Sequence, residues 1–335
     1  MKNPLARNKQ VGTLIALMAL VCVLMLIFCP GSYFTAKNAK SMLFQFPEYG
    51  ILAFGMMLCM IAGGIDLSLV GIMNLSGLTA ALILLALIPE GTEASAEFTA
   101  VALIVSSVAA LLVGALCGLF NGFLIGYFGI PAMLVTLCSL QLFTGLVYGI
   151  TGGPAVTGMC DAFKEIANGT IAGTFVPYVL PIFVIVLLVV AFILHKTKLG
   201  REIYYLGTNR KASVFSGINT LKTSMLTYMT SGILGGVSGI LITSHLNAAK
   251  SSNGTSYTLL TILIVVLGGV HPDGGKGDVV GVTLSVLLMQ MISNAFTLLH
   301  ISQDVKNFAN GALLILVLVC VMLIRKVEEK KKAQQ

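Results

Sequence analysis

The stretch VGTLIALMALVCVLMLIFC, running from Val11 to Cys29, contains no charged side chain and a single hydroxyl, Thr13. A helix of this length, at ~1.5 Å rise per residue, spans the ~30 Å hydrocarbon core of a bilayer. Working outward from it, nine more apolar runs recur: Met42–Ala62, Leu67–Ile88, Phe98–Leu119, Ala132–Ile150, Pro177–Leu194, Thr223–Ser244, Leu259–Val270, Val279–Leu299 and Phe308–Ile324. The run at Leu259–Val270 is too short to cross alone, so it either extends back toward Ser256 or is half of a broken helix. The reading is an all-α polytopic membrane protein of about ten transmembrane helices, some broken or short.

Composition agrees. Of 335 residues, 57% are apolar and 10% charged, against roughly 25% charged in soluble domains. Too little polar surface remains to cover a soluble core, which excludes a soluble enzyme, a disordered chain and an exported disulfide scaffold. The seven cysteines are scattered with no repeated short spacing; they read as small hydrophobes, with no metal site. The first run is longer than a signal-peptide h-region and ends in Cys-Pro-Gly, so it is read as a retained span.

The net charge of +7 orients the chain rather than marking a nucleic-acid partner. With ten spans both termini share a side, whose loops hold fifteen basic residues, among them Lys2, Arg7, Lys9, Lys196, Arg201, Lys276 and Lys326. The opposite loops hold five (Lys37, Lys40, Lys164, Lys250 and Lys306) together with Glu90, Glu93, Glu97, Asp161, Glu165 and Asp304. Basic excess marks the cytoplasmic side. The expected organisation is a cytoplasmic tail over 1–10, one transmembrane domain over 11–324 with a cytoplasmic loop at 195–222, and a basic tail over 325–335 that meets membrane lipid at the surface.

The chemistry that is missing narrows the function. The nearest approach to a phosphate-binding loop is Gly274-Gly275-Lys276-Gly277, which lacks the Ser or Thr after lysine and has Val270 where the first glycine belongs. No cofactor is expected on this chain. The four histidines, His195, His245, His271 and His300, fall at span ends and read as interfacial. Glu48 and Asp66 are the acids near apolar segments, with Glu48 read as interfacial too; so poor a supply of buried charge weakens ion coupling. Gly114, Gly118 and Gly122 recur at every fourth position, as do Gly232 and Gly236, a spacing that lets helix backbones approach closely.

Four segments carry more. In Gly63-Gly64-Ile65-Asp66-Leu67-Ser68, two glycines break the helix and Asp66 either lines a polar cavity or caps a simple turn; an Asp in mid-membrane costs ~2.5–3.5 kcal/mol on insertion scales. The second is Ile130-Pro131 followed by Val135-Thr136-Leu137. The third is the loop from Gly200-Arg201-Glu202-Ile203-Tyr204 through Gly207-Thr208-Asn209 to Ser216-Gly217-Ile218, where Val214, Phe215 and Ile218 have helical spacing. The fourth is Gly268-Gly269. For a passing neutral solute, Asp66 and the hydroxyl and amide groups of Ser68, Asn74, Asn121, Thr136 and Gln141 are the candidate pathway residues; bonding to a neighbouring helix explains each of them as well.

At these four places, in the same order from about residue 42 to 324, the chain resembles the permease subunit of ATP-driven sugar importers of the ribose and galactose type. It departs from their pattern at Leu69-Val70-Gly71, His271-Pro272-Asp273 and Asn209-Arg210-Lys211. The resemblance implies a second permease chain, identical or paralogous, an extracytoplasmic sugar-binding protein, and cytoplasmic ATPase subunits that carry the ATP and Mg. It also implies that Gly200, Arg201, Glu202, Asn209, Phe215, Ser216, Gly217 and Ile218 belong to the loop that docks on the ATPase. Three rivals make distinct predictions: an ion-coupled secondary carrier would pump unaided, a scaffold would give no flux with any partner, and the same importer class could carry nucleosides or branched-chain amino acids.

Overall fold

The computed structural model describes residues 4–92, 94–171 and 174–333; Lys2, Glu93 and the last two residues of the basic tail lie outside them. The chain is α-helical almost throughout. In order come α1 (Pro4–Phe28), α2 (Pro30–Tyr33), α3 (Ala36–Ile61), α4 (Leu69–Leu87), α5 (Ala96–Tyr127), α6 (Ala132–Thr151), β1 (Val156–Thr157), α7 (Asp161–Asn168) and α8 (Val179–Lys196). They are followed by α9 (Lys198–Thr208), α10 (Arg210–Phe215), α11 (Thr220–Leu246), β2 (Ala248–Ala249), α12 (Tyr257–Leu267), α13 (Val279–Leu298) and α14 (Gln303–Ala333). Among the described residues nine helices are long and apolar enough to cross a membrane. The remaining expected span is α12, with 11 residues.

Two of the boundaries that differ from the sequence reading have a clear local reason. α3 starts at Ala36 rather than Met42 because the Thr35 hydroxyl accepts the Asn38 amide at 3.2 Å, an N-cap that lets the polar stretch 36–41 be helical. α5 runs on past Leu119 to Tyr127, because Asn121 is fully buried and bonded there instead of ending the span.

α3, α4, α5 and α11 form the centre. Every residue of α3 from Phe46 to Ile61 is buried, and α11 packs against α3, α4 and α5 together. α5 and α11 approach as closely as backbones allow. A Cβ on Gly122 would sit 2.6 Å from Met225 Cα, and one on Gly118 2.8 Å from the Tyr228 carbonyl carbon; Gly114 and Gly232 each abut the other's carbonyl, and Gly236 faces Ala110. α1, α5, α6, α8 and α14 turn large apolar side chains outward, among them Ile27, Leu116, Phe192 and Ile315, as a lipid-facing surface requires.

The short α12 has a cause in the segment before it. After α11 the chain pairs β2 antiparallel with β1 and then turns back into the bundle. The Asn74 side-chain amide donates to the carbonyls of Ser251 (2.9 Å) and Asn253 (3.0 Å), and Asn74 is only five residues from the start of α4. Non-helical backbone therefore reaches mid-depth, and α12 needs only ~16 Å to complete the crossing. α12 extends back to Tyr257, just after Ser256, and non-helical backbone makes the rest of the crossing.

The elements sort into two ends. The turns 62–68 and 128–131, the pair α9–α10 and the turn 271–278 lie together at one end: Gly275 N–H donates to the Ile61 carbonyl (2.8 Å), and the Tyr204 hydroxyl to that of Gly277 (2.9 Å). At the opposite end, α7 and the β1–β2 pair close over α11, where the Ser244 hydroxyl donates to the Phe163 carbonyl at 2.6 Å.

Candidate functional site

Three features stand out, and the first is the Asp66 cluster. Asp66 is fully buried in the link between α3 and α4. Its Oδ1 accepts from the Ser68 amide (3.1 Å) and hydroxyl (2.5 Å), and its Oδ2 from the Ser231 hydroxyl of α11 (3.0 Å), with the Cys59 thiol at 3.8 Å. Asn121 of α5 donates to Ser68 Oγ at 2.7 Å and accepts from Ser139 of α6 at 2.6 Å. Thr136, also on α6, donates to the Ile65 carbonyl at 2.9 Å. Of the six candidate pathway residues the structure thus brings Asp66, Ser68, Asn121 and Thr136 into one place. Of the two sequence readings of Asp66 the cap is the nearer: Ser68 is the N-cap of α4 and Asp66 Oδ1 accepts its amide, but Asp66 is sealed among donors from α3, α11 and its own turn. Asn74 lies apart, holding the 251–253 backbone, and Gln141 is exposed on α6. Ser139 and Ser231 carry the cluster and were not singled out from sequence, being single hydroxyls in long apolar runs.

The second feature is a cavity of about 330 Å³ at the middle of α3, lined by Glu48, Tyr49, His245, Tyr257, Gln290 and their neighbours. Glu48 is 3% exposed. His245 Nδ1 donates to its Oε1, and the Tyr257 hydroxyl donates to Oε2 at 3.2 Å. The Tyr49 hydroxyl donates to Gln290 Oε1 (2.5 Å), and Gln290 Nε2 to Gln45 Oε1 (3.2 Å). The interfacial reading of Glu48 is therefore corrected; His245 does lie in the last turn of α11, as its place at a span end suggested, but it turns inward to the carboxylate. With α3 starting at Ala36, Glu48 lies thirteen residues from Ile61, ~20 Å along the helix axis, and His245 reaches it from α11. The available signal was Pro47-Glu48-Tyr49 inside an apolar run: Pro47 has no amide to donate to the Leu43 carbonyl.

The third is the pair α9–α10. α9 is fixed on the bundle. The Thr197 hydroxyl caps it by accepting the Gly200 amide (3.1 Å), Gly200 lies directly against the Ile193–Leu194 backbone, and Glu202 accepts from the Thr223 hydroxyl of α11 at 2.9 Å. Burial, then the Asp278 carboxylate, pushes the Tyr204 phenol up to about 12, so it donates to Gly277 throughout the physiological range. α10 is tied to the bundle at its first residue, where the Arg210 guanidinium donates to the Ile125 and Gly126 carbonyls of α5 (3.4 and 3.2 Å), and its last turn projects outward. Asn209 caps it by accepting the Ala212 amide (3.0 Å), and Gly217, at φ +77°, ends it. Phe215 is 91% exposed, Arg201 and Ser216 are exposed, and Ile218 is half-buried. The single apolar face expected of Val214, Phe215 and Ile218 does not form, because the left-handed turn at Gly217 separates Ile218 from α10.

A bundle of apolar helices broken at mid-depth around a polar cavity, tied internally by hydrogen bonds to two buried acids and offering a helix pair at one end, has the architecture of a multi-span membrane permease. Residues 38–318 match the family described as "Branched-chain amino acid transport system / permease component", and the chain belongs to that family. It is 33% identical over 330 residues to the ribose import permease protein RbsC of Haemophilus influenzae, covering 95% of this chain and 96% of that protein. The corresponding protein of Escherichia coli K12 is 33% identical over 91% of each chain. The autoinducer 2 import system permease protein LsrD of Photorhabdus temperata is 32% identical over 81% of this chain and 78% of that one. No solved structure matches the chain. The chain is a permease component of an import system, a multi-pass protein of the bacterial inner membrane and not an enzyme.

Proposed function

We propose that this chain forms the membrane pathway of an ATP-driven importer for a simple sugar or a closely related carbohydrate. A separate cytoplasmic ATPase carries ATP and Mg, an extracytoplasmic binding protein delivers the cargo, and a second permease chain, identical or paralogous, completes the pathway. Both termini and the α9–α10 pair then face the cytoplasm, in keeping with the basic excess in their loops. The names of the relatives, ribose and autoinducer 2 import permeases, support a carbohydrate or small polyol-like cargo.

The observation that carries the coupling role is the contrast within 198–218. α9 is bonded to the bundle through Tyr204 and Glu202, while α10 presents Phe215 almost wholly to the outside. A large aromatic held out on a capped, fixed support is the geometry of a docking anchor, and truncating such anchors costs about 2 kcal/mol or more of binding. Beside it, a surface groove of about 470 Å³ runs along Tyr205, Asn209, Ala212 and Ser216, where a partner's side chains can seat in return.

The test is the double variant R201A/F215A in the complete importer. Membrane insertion stays at the wild-type level, while co-purification with the ATPase and ATP-driven sugar uptake fall about tenfold or more, the loss that an aromatic anchor implies. Wild-type association and uptake in that variant would remove the coupling role, and solute accumulation by the isolated chain in liposomes would remove the importer reading itself.

A further inference from the structure

We infer that the mid-depth cavity around Glu48 is a cargo subsite open toward the extracytoplasmic end, and that it takes a neutral, polyhydroxylated ligand. The inference rests on the importer reading and deepens it. Three independent observations converge on the cavity.

The first is depth. Non-helical backbone inside a bilayer persists only where protein buries it or where it lines a polar cavity, and the segment after β2 does the latter: Gly254 and Ser256 belong to the wall. The cavity breaks into the bundle from the end closed by α7 and the β1–β2 pair, because α12 starts beside Glu48 and runs away from that end. At about 330 Å³ it lies at the small end of the ligand-pocket range of roughly 300–1,000 Å³.

The second is the state of Glu48. An acid at mid-depth is costly and marks solute pathways by default. Here both carboxylate oxygens are already held, one by His245 and one by Tyr257, so the charge is dispersed over two donors from two other helices. What remains for a ligand is a spare lone pair on each oxygen, an acceptor for hydroxyl groups.

The third is the rest of the lining. Gln45, Gln290, Ser293, Gln303 and Asn310 supply amides and a hydroxyl from three elements, groups that both donate and accept, as a ring of sugar hydroxyls requires. The Tyr49 and Tyr257 rings, with centroids 5.6 Å apart and planes tilted by 60°, form the apolar part of the wall. A zwitterionic amino acid fits less well. Its carboxylate would share the cavity with Glu48, and the lysine of the wall, Lys306, already donates to the Thr297 hydroxyl at 2.7 Å.

The test introduces Ser293→Cys in a chain whose Cys160 is replaced by Ala, assembled in the complete importer in right-side-out vesicles. A membrane-impermeant thiol reagent labels position 293 from the outer face. Millimolar D-ribose, D-galactose or D-xylose slows the labelling severalfold, and L-leucine does not. Glu48→Gln, which keeps the size of the side chain, raises the half-protecting sugar concentration about tenfold, as loss of a charged acceptor implies; Tyr257→Phe raises it less. Labelling only from the cytoplasmic face, protection by none of the three sugars, protection by L-leucine instead, or Glu48→Gln protection equal to wild type would each overturn the subsite. ATP-driven sugar accumulation is followed in parallel. Accumulation without protection refutes the subsite and leaves the importer standing, and protection without accumulation does the reverse.

Discussion

Replacing Gly118 by Ala adds one methyl group at the place where α5 and α11 touch. The new Cβ would lie inside the van der Waals envelope of the Tyr228 carbonyl oxygen, 2.8 Å from its carbon and 3.0 Å from Met229 Cα. All three are backbone atoms of a packed helix, so no side chain can swing aside and the helices must separate. That separation loosens the neighbouring contacts at Gly114 and Gly122 as well. Overpacking of this kind costs about 1–3 kcal/mol, offset by up to ~1 kcal/mol of helix propensity gained on exchanging Gly for Ala. Gly145 is the control: it lies in α6, and a Cβ there meets nothing within 4 Å. G145A is therefore expected to be neutral or slightly stabilising and G118A to be destabilised by about 0–2 kcal/mol after the offset, so that the two variants differ by about 1–3 kcal/mol, the overpacking cost itself. Thermal unfolding of the detergent-solubilised protein, followed by loss of the monodisperse peak, reads the comparison directly. Equal midpoints for G118A and G145A would refute the claim that α5 and α11 meet backbone to backbone.

Two further substitutions probe the polar ties. Asp66→Ala removes the acceptor of three hydrogen bonds from Ser68 and Ser231; with each orphaned buried donor costing about 1–3 kcal/mol, the variant should fail to accumulate in membranes or melt far below wild type, whereas a wild-type melting curve would contradict the sealed cluster. Tyr204→Phe leaves the Gly277 carbonyl without its partner and should cost about 0.5–1.5 kcal/mol. Because the phenol is raised from 10.0 to about 12 in the folded chain, its contribution is fully present below pH 10 and is lost as pH rises toward 12. Protection of the α9 amides, measured against the base-catalysed intrinsic exchange rate, should fall across that window in wild type and stay constant in Tyr204→Phe.

Much of the architecture was legible because apolar runs and their lengths are set by the bilayer, not by tertiary detail. The glycine spacing on α5 marked one face for close contact, and the matching pair on α11 turns out to be what it contacts. What sequence could not supply is long-range pairing. Asp66 meets Ser231 across 165 residues, and Glu48 meets His245 across 197. No local pattern records either contact. Glu48 was also displaced by an error of helix length: the charged stretch before Met42 reads as loop until Thr35 is recognised as a cap. The length of α12 carried the missing clue, since an 11-residue span obliges the preceding loop to descend to mid-depth. Phe215 shows the opposite failure. Its spacing to Ile218 suggested one helical face, but a glycine at position 217 can end a helix within two residues, and there it does.

The polar ties along α11 also bear on how such a bundle can change shape. This one helix binds Glu202 through Thr223, Asp66 through Ser231, the Glu48 backbone through Ser238 and α7 through Ser244. It therefore runs unbroken from the exposed α9–α10 pair to His245 at the cavity, ~40 Å at helical rise. Every one of those four ties is a hydroxyl bond, of a kind that contributes about 0.5–1.5 kcal/mol, or 1.5–3 where the acceptor is charged. Buried ion pairs in the same places would resist separation by about 3–5 kcal/mol each. Ser238 and Ser244, which bond carbonyls, can exchange one carbonyl for another a turn away, whereas Thr223, Ser231 and His245 hold the carboxylates of Glu202, Asp66 and Glu48. Among the described residues the His245–Glu48 pair sits at the far end of α11, so the length of the helix between Thr223 and Ser244 is held by hydroxyl bonds and a force applied at the α9–α10 end meets the ion pair last.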